Sequence, residues 1–94
     1  MRVRFTRPAN NDLAALVDFI STDSPGSAVS VLNRVLLASA RLADFPELGR
    51  KGPLGDTREV PVARTPYIVV YLRVADEVRI LRIRHSAQQW PPAD

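Results

Sequence analysis

The chain has 94 residues, 46% hydrophobic and 24% charged, with no cysteine and a formal net charge of +3. That length fits a single domain over residues 1–94 burying roughly 60–65% of its unfolded surface. The missing thiols exclude a disulfide scaffold, a cysteine nucleophile and a thiolate zinc site.

From the N-terminus, Arg2 to Thr6 alternates, with Val3 and Phe5 on one face and Arg2, Arg4 and Thr6 on the other, which predicts a strand. Pro8 then marks a first helical turn, and Leu13, Leu16, Val17 and Ile20 recur at helical spacing. Ser24-Pro25 repeats the start signal, and Ala28, Val31, Leu32, Val35, Leu36, Leu42 and Ala43 carry a second, longer stripe up to Phe45-Pro46. So short a connection, about Thr22 to Pro25, predicts an antiparallel helix hairpin. Phe45 to Asp56, with Gly49, Gly52, Gly55, Pro46 and Pro53, has loop composition. Thr57 to Ala63, Tyr67 to Val74 and Val78 to His85 are rich in β-branched and aromatic residues and predict a three-stranded antiparallel meander. Residues 88–94 form a short tail in which Pro91-Pro92 forbids helix or central strand. The predicted class is α+β: a strand, a helix hairpin, then the meander.

The longest apolar runs, Leu13 to Val17 and Ile68 to Leu72, fall far short of the ~20 residues that cross a bilayer. No membrane partner is expected, and with no apolar stretch of signal-peptide length after Phe5 the expected location is cytoplasmic.

Strand parity assigns a candidate recognition surface, because only one sheet face can cover the hairpin. Turning the more apolar parity of each strand inward places Val3, Phe5, Val60, Val62, Ile68, Val70, Leu72, Val74, Leu81 and Ile83 in the core. The opposite parity then carries Arg2, Arg4, Tyr67, Tyr71, Arg73, Arg82 and Arg84, with Val69, Val78 and Ile80 between them. These arginines and tyrosines, with Trp90 of the tail as an aromatic anchor, are the candidate partner-binding residues. All basic residues but Lys51 are arginine. A guanidinium forks onto carboxylates and phosphates, so the face suits an acidic protein or a nucleic acid. The bland reading is a solvated sheet surface whose arginines lie over apolar ground, and a GC-rich coding sequence leaves the same arginine bias.

The order of elements, with Pro8-Ala9 to Leu13 opening the first helix and Leu42-Ala43-Asp44-Phe45-Pro46-Glu47-Leu48-Gly49-Arg50 closing the second, resembles the RelE/ParE superfamily of toxins from type II toxin–antitoxin systems. So do Thr57-Arg58-Glu59-Val60, Pro66-Tyr67-Ile68-Val69-Val70-Tyr71 and the ending from Ile80 through His85 to Trp90-Pro91. The resemblance is nearer to ParE and covers nearly the whole chain. It implies a RelE/ParE-like toxin fold and a cognate DNA-binding antitoxin whose flexible acidic and apolar C-terminal segment wraps the toxin. Two activities compete within the superfamily: RelE-like members cut messenger RNA in the ribosome, whereas ParE-like members inhibit DNA gyrase by binding.

Cutting RNA through its 2′-hydroxyl requires a base, an acid and cations for the developing phosphorane. The candidates are Glu47 or Glu59, His85, and Arg58, Arg82 and Arg84. His85 is the only histidine, but it ends the last strand on the core-facing parity, where a histidine packs. RNA-cutting relatives carry an arginine on the middle meander strand and an aromatic or basic residue beside the terminal histidine. Here Tyr67 to Leu72 is uncharged and Ser86-Ala87 follows His85. Arg58-Glu59 also reads as an exposed cross-strand pair. One histidine without cysteine supports no metal site, and no spacing suggests another cofactor. The reading is a ParE-like gyrase inhibitor that is no enzyme, neutralised by its antitoxin; the alternative is a ribosome-dependent mRNA endoribonuclease.

Overall fold

In the computed structural model, which describes residues 1–93, the elements run β1 (Arg2–Phe5), α1 (Arg7–Ser21), α2 (Pro25–Arg41), β2 (Arg50–Lys51), β3 (Arg58–Pro61), β4 (Tyr67–Val74) and β5 (Glu77–His85). Both helix starts follow the sequence signals. Thr6 Oγ1 accepts from Ala9 N at 3.3 Å and Ser24 Oγ from Ser27 N at 3.2 Å, each followed by proline in the first turn. The second helix stops at Arg41, short of Phe45-Pro46. There the amides of Leu42, Ala43 and Asp44 tighten onto the carbonyls of Ser39, Ala40 and Arg41, ahead of a proline that cannot continue the helix. No helix among the described residues is long and apolar enough to cross a membrane.

The strands form one sheet in the order β1-β5-β4-β3-β2. Strand β1 runs parallel to β5, and the remaining pairs are antiparallel. The meander is as the sequence predicts; β2 falls inside the segment of loop composition, since two residues are too few to show alternation. Helices α1 and α2 lie together on one sheet face, around a core that includes Leu16, Val35, Leu42, Val69, Tyr71, Val78 and Ile80.

The parity assignment holds for β1 and β3, fails for β4, and fails for the first half of β5, where Val78 and Ile80, expected on the open face, are core residues and Leu81, expected in the core, is not. Tyr67, Val69 and Tyr71 face the helices, while Val70, absent from that core, lies on the opposite side with Ile68, Leu72 and Val74. Both parities of β4 are apolar, so hydrophobicity could not choose between them. Register chooses. Val70 pairs with Arg82 but Tyr71 pairs with Ile80, leaving Leu81 as the extra residue of a β-bulge. The bulge lets Val78 and Ile80 on one side of it, and Ile83 on the other, all point at the helices. Arg73, opposite the core residue Val78, therefore leaves the open face as well and meets the loop carboxylate of Glu47 at 3.4 Å.

Burial of a tyrosine is tolerable where its hydroxyl is satisfied. Tyr71 OH donates to Pro46 O at 2.8 Å and accepts from Gly49 N at 2.8 Å, tying the loop after α2 to the core. Its pKa is pushed up by burial, which keeps it a donor. Gly49 is required by close approach, since a Cβ there would stand 2.8 Å from both Glu59 O and the Tyr71 ring. Tyr71→Phe should therefore lower stability by about 1–3 kcal/mol, because it leaves a buried amide and carbonyl unpaired. Urea unfolding of the two proteins measures the loss.

Candidate functional site

The open sheet face carries Arg2 and Arg4 on β1 and Arg79, Arg82 and Arg84 on β5, beside Ile68, Val70, Leu72 and Val74 of β4. Four of the proposed partner-binding residues, Arg2, Arg4, Arg82 and Arg84, are where the sequence placed them. Tyr67 and Tyr71 are not: both are buried beneath the helices, and Arg73 lies on their side of the sheet. The recognition face is thus one of guanidinium groups without phenols. Arg79 and its acidic neighbour Glu77 were missed. Their signal was the run Val78, Ile80, Ile83, whose broken alternation marks the bulge.

The arginines are committed to different degrees. Arg82 forks onto Asp12 of α1, with Nε to Oδ2 at 2.8 Å and Nη2 to Oδ1 at 3.1 Å, and the same Oδ2 accepts from Ile83 N at 2.9 Å. That hydrogen bond leads the causes that raise the Arg82 pKa, so the pair stays charged. Arg84 reaches across β4 to Glu59 of β3, Nη2 to Oε1 at 2.9 Å, in a pair buried on both sides. The tail folds back here: the Trp90 ring sits 5.6 Å from the Arg84 guanidinium carbon and 6.0 Å from that of Arg82. Beneath this arch Val70 is buried although it faces away from the helices. Trp90 thus covers its own domain, the alternative to an exposed anchor. The tail expected over residues 88–94 ends on Asp94, which lies outside the described residues.

The three remaining arginines share one acid. Glu77 Oε1 meets Arg2 Nη2 at 3.1 Å, and its Oε2 meets Arg4 Nε at 3.2 Å and Arg79 Nε at 2.7 Å. The bonds from Arg79 and Arg2, aided by Arg4 and opposed by partial desolvation, hold the Glu77 carboxyl at about 2, far below its usual range.

The residues proposed for RNA cleavage do not converge. His85 projects on the helix side, edge-on to Tyr67 at 5.4 Å, with Nδ1 accepting from Ala87 N at 3.0 Å. Glu59 and Arg84 are locked together on the other side of the sheet. Arg58 is spent on the loop after α2, donating to Gly49 O at 2.7 Å and facing Glu47 at 3.6 Å. His85 instead borders a shallow hollow with Asp12, Phe19, Tyr67 and Gln88.

A second surface, also missed, opens between α2 and β3. Leu37, Ala38, Leu48, Val60, Val62 and Ala63 line a groove flanked by Arg34 and Arg41, neither of which forms an ion pair among the described residues. Exposed Val29, Leu36 and Leu37 extend the apolar surface along α2. Leu36 belongs to the apolar stripe read in the sequence of this helix, whereas Val29 and Leu37 lie outside that stripe.

Two outcomes test these assignments. Removing either Glu59 or Arg84 should cost about 3–5 kcal/mol, and replacing both by apolar residues much less, in a double-mutant cycle read by urea unfolding. For Glu77, a folded pKa of about 2 against the ordinary 4.5 means that its stabilisation is complete above 4.5 and fades as pH falls toward 2. Glu77→Gln should flatten the fall of the urea midpoint across that interval.

A family model described as the ParE toxin of the type II toxin–antitoxin system parDE matches residues 3–90. Protein Y4kP of Sinorhizobium fredii is 39% identical over 90 residues, covering 96% of this chain and 93% of the relative. Toxin RelE2 of Caulobacter vibrioides is 37% identical over 87 residues, covering 93% and 97%. Among solved structures, a chain of the chromosomal ParDE system of P. aeruginosa superposes with a TM-score of 0.81 at 24% identity, covering 90% of this chain and 95% of that one. The protein HP0894 of Helicobacter pylori gives 0.60 at 23% identity, covering 94% and 97%. These two likenesses establish the RelE/ParE-like toxin fold, and the match across nearly all of the sequence establishes more: the chain belongs to the ParE toxin family of type II toxin–antitoxin systems.

Proposed function

We propose that this toxin acts by binding DNA gyrase rather than by cutting RNA, and that its antitoxin silences it from the groove between α2 and β3. The observation that carries the first half is the separation of the candidate acid–base groups. His85 lies on the helix side of the sheet, and Glu59 and Arg84 neutralise each other on the opposite side. General acid–base catalysis needs those groups within hydrogen-bond reach of one reacting phosphate. Arg58 and Arg82, the remaining cations, are each already held by a carboxylate. The competing reading, a ribosome-dependent endoribonuclease, draws support from the relative named Toxin RelE2.

Family membership implies a cognate antitoxin. The groove suits an amphipathic acidic segment: Leu37, Leu48, Val60 and Val62 supply the apolar floor, and Arg34 and Arg41 stand ready for carboxylates. Such a segment orders on binding, so its affinity depends on both features at once.

The toxin freed of antitoxin should inhibit gyrase supercoiling and leave messenger RNA on translating ribosomes intact, with His85→Ala as potent as wild type. RNA cuts that disappear in His85→Ala, with supercoiling untouched, would replace this reading by the endoribonuclease. In the same preparation Leu37→Glu/Arg41→Glu should weaken antitoxin binding by about tenfold or more, since each change sets like charge against an acidic partner. Titration calorimetry measures it.

A further inference from the structure

Glu77 holds Arg4 and Arg79 by their Nε atoms alone. The terminal Nη pairs of both guanidiniums have no hydrogen-bond partner among the described residues, while a carboxylate behind fixes their orientation. Arg4 and Arg79 are direct partners on adjacent strands, roughly 4.8 Å apart. Arg2 lies two residues along β1, roughly 6.7 Å away on the same face. Three guanidiniums on one carboxylate leave an excess of two positive charges. Their side chains are 78%, 46% and 37% exposed for Arg2, Arg4 and Arg79, against 11% for Glu77, so the positive groups form the outer surface.

We infer that Arg4 and Arg79 form a phosphate-binding fork and that, with Arg2, they seat the sugar–phosphate backbone of a nucleic acid on the face opposite the α2–β3 groove. Two guanidinium planes side by side present donors in two directions. A planar carboxylate fills one such fork, whereas the oxygens of a phosphate diverge and accept from both. Arg2 is spaced to meet the next phosphate along a strand. The apolar residues beside the cluster, Leu72 and Val74, are half-buried as cross-strand partners of Arg79 and Glu77, whereas the floor of Leu37, Leu48, Val60 and Val62 that suits an amphipathic peptide lies in the groove. Preorganisation by Glu77 lowers the entropy lost on binding, and because its carboxyl stays ionised far into acid, the scaffold persists throughout the neutral range. This inference stands independently of whether gyrase or the ribosome is the target.

The test is fluorescence anisotropy of a labelled short DNA duplex of arbitrary sequence, titrated with antitoxin-free toxin at several salt concentrations. Wild type should bind with an affinity that falls linearly with salt on logarithmic axes. Arg4→Gln/Arg79→Gln should make that slope shallower by about 2, the contribution of two phosphate contacts. The control Arg7→Gln/Arg64→Gln, which removes the same net charge elsewhere, should leave the slope unchanged. Arg4→Lys/Arg79→Lys retains charge opposite Glu77 and so guards against misfolding; it should keep the slope but bind several-fold more weakly at fixed salt, having lost the forks. Equal slopes in the glutamine pair and the control, no binding by folded wild type, or displacement by polyglutamate as effective as by unlabelled duplex would each overturn the inference. The last outcome would assign the cluster to an acidic protein.

Discussion

A single extra residue in β5 governs how this sheet presents its side chains. Leu81 has no partner across from β4, and the alternation of β5 is reset around it. Without that reset, Ile83 and the pair Val78 and Ile80 could not all pack under the helices, and Arg79 could not share a face with Arg82 and Arg84. The bulge is held from the neighbouring segment. The Thr6 hydroxyl faces the Ile80 and Leu81 carbonyls at 2.9 and 3.1 Å, and Asp12 takes the Ile83 amide just beyond. The two residues that start α1 and occupy its second turn thus cap the part of β5 left uncovered when pairing with β1 ends at Ile80. Helix placement, edge protection and the aim of the arginines are one problem with one solution.

Charge on the open face is distributed unequally for a physical reason. Arg82 and Arg84 are drawn into close pairs with Asp12 and Glu59, and Trp90 lies over both, so their charge is largely spent in holding the edge and the tail. A buried pair of this kind is poorly suited to surrender a guanidinium to a partner, because the abandoned carboxylate would remain desolvated. Arg2, Arg4 and Arg79 carry no such penalty. One acid orients them without neutralising them, and they remain at the surface. Counting arginines on a face overstates what it offers; counting those whose donors are unspent does not.

The molecule has two dissimilar surfaces on opposite sides of one sheet. The groove between α2 and β3 is apolar with basic flanks, while the cluster around Glu77 sets three guanidiniums outermost beside half-buried Leu72 and Val74. Partners seated on them would touch different side chains and need not exclude one another. Tyr71 links the layers, since its ring packs in the core and its hydroxyl fixes the loop that carries Leu48 to the rim of the groove.

Periodicity in the sequence was enough to establish both helices, their proline starts, the hairpin, the meander and the family pattern, because these depend on contacts between near neighbours along the chain. It also placed Arg2, Arg4, Arg82 and Arg84 on the exposed side and His85 toward the core. Tyr67, Tyr71 and Arg73 were misplaced because both faces of β4 are apolar, and local hydrophobicity carries no preference when each face has a cover: helices on one side, the Trp90 arch on the other. Only tertiary structure decided that, since the register of β4 against β5, the parallel pairing of β1 and the return of the tail are long-range events whose energies no window of sequence contains. The same holds for the fork at Glu77, whose arginines come from strands more than seventy residues apart in the chain and meet only when the sheet closes.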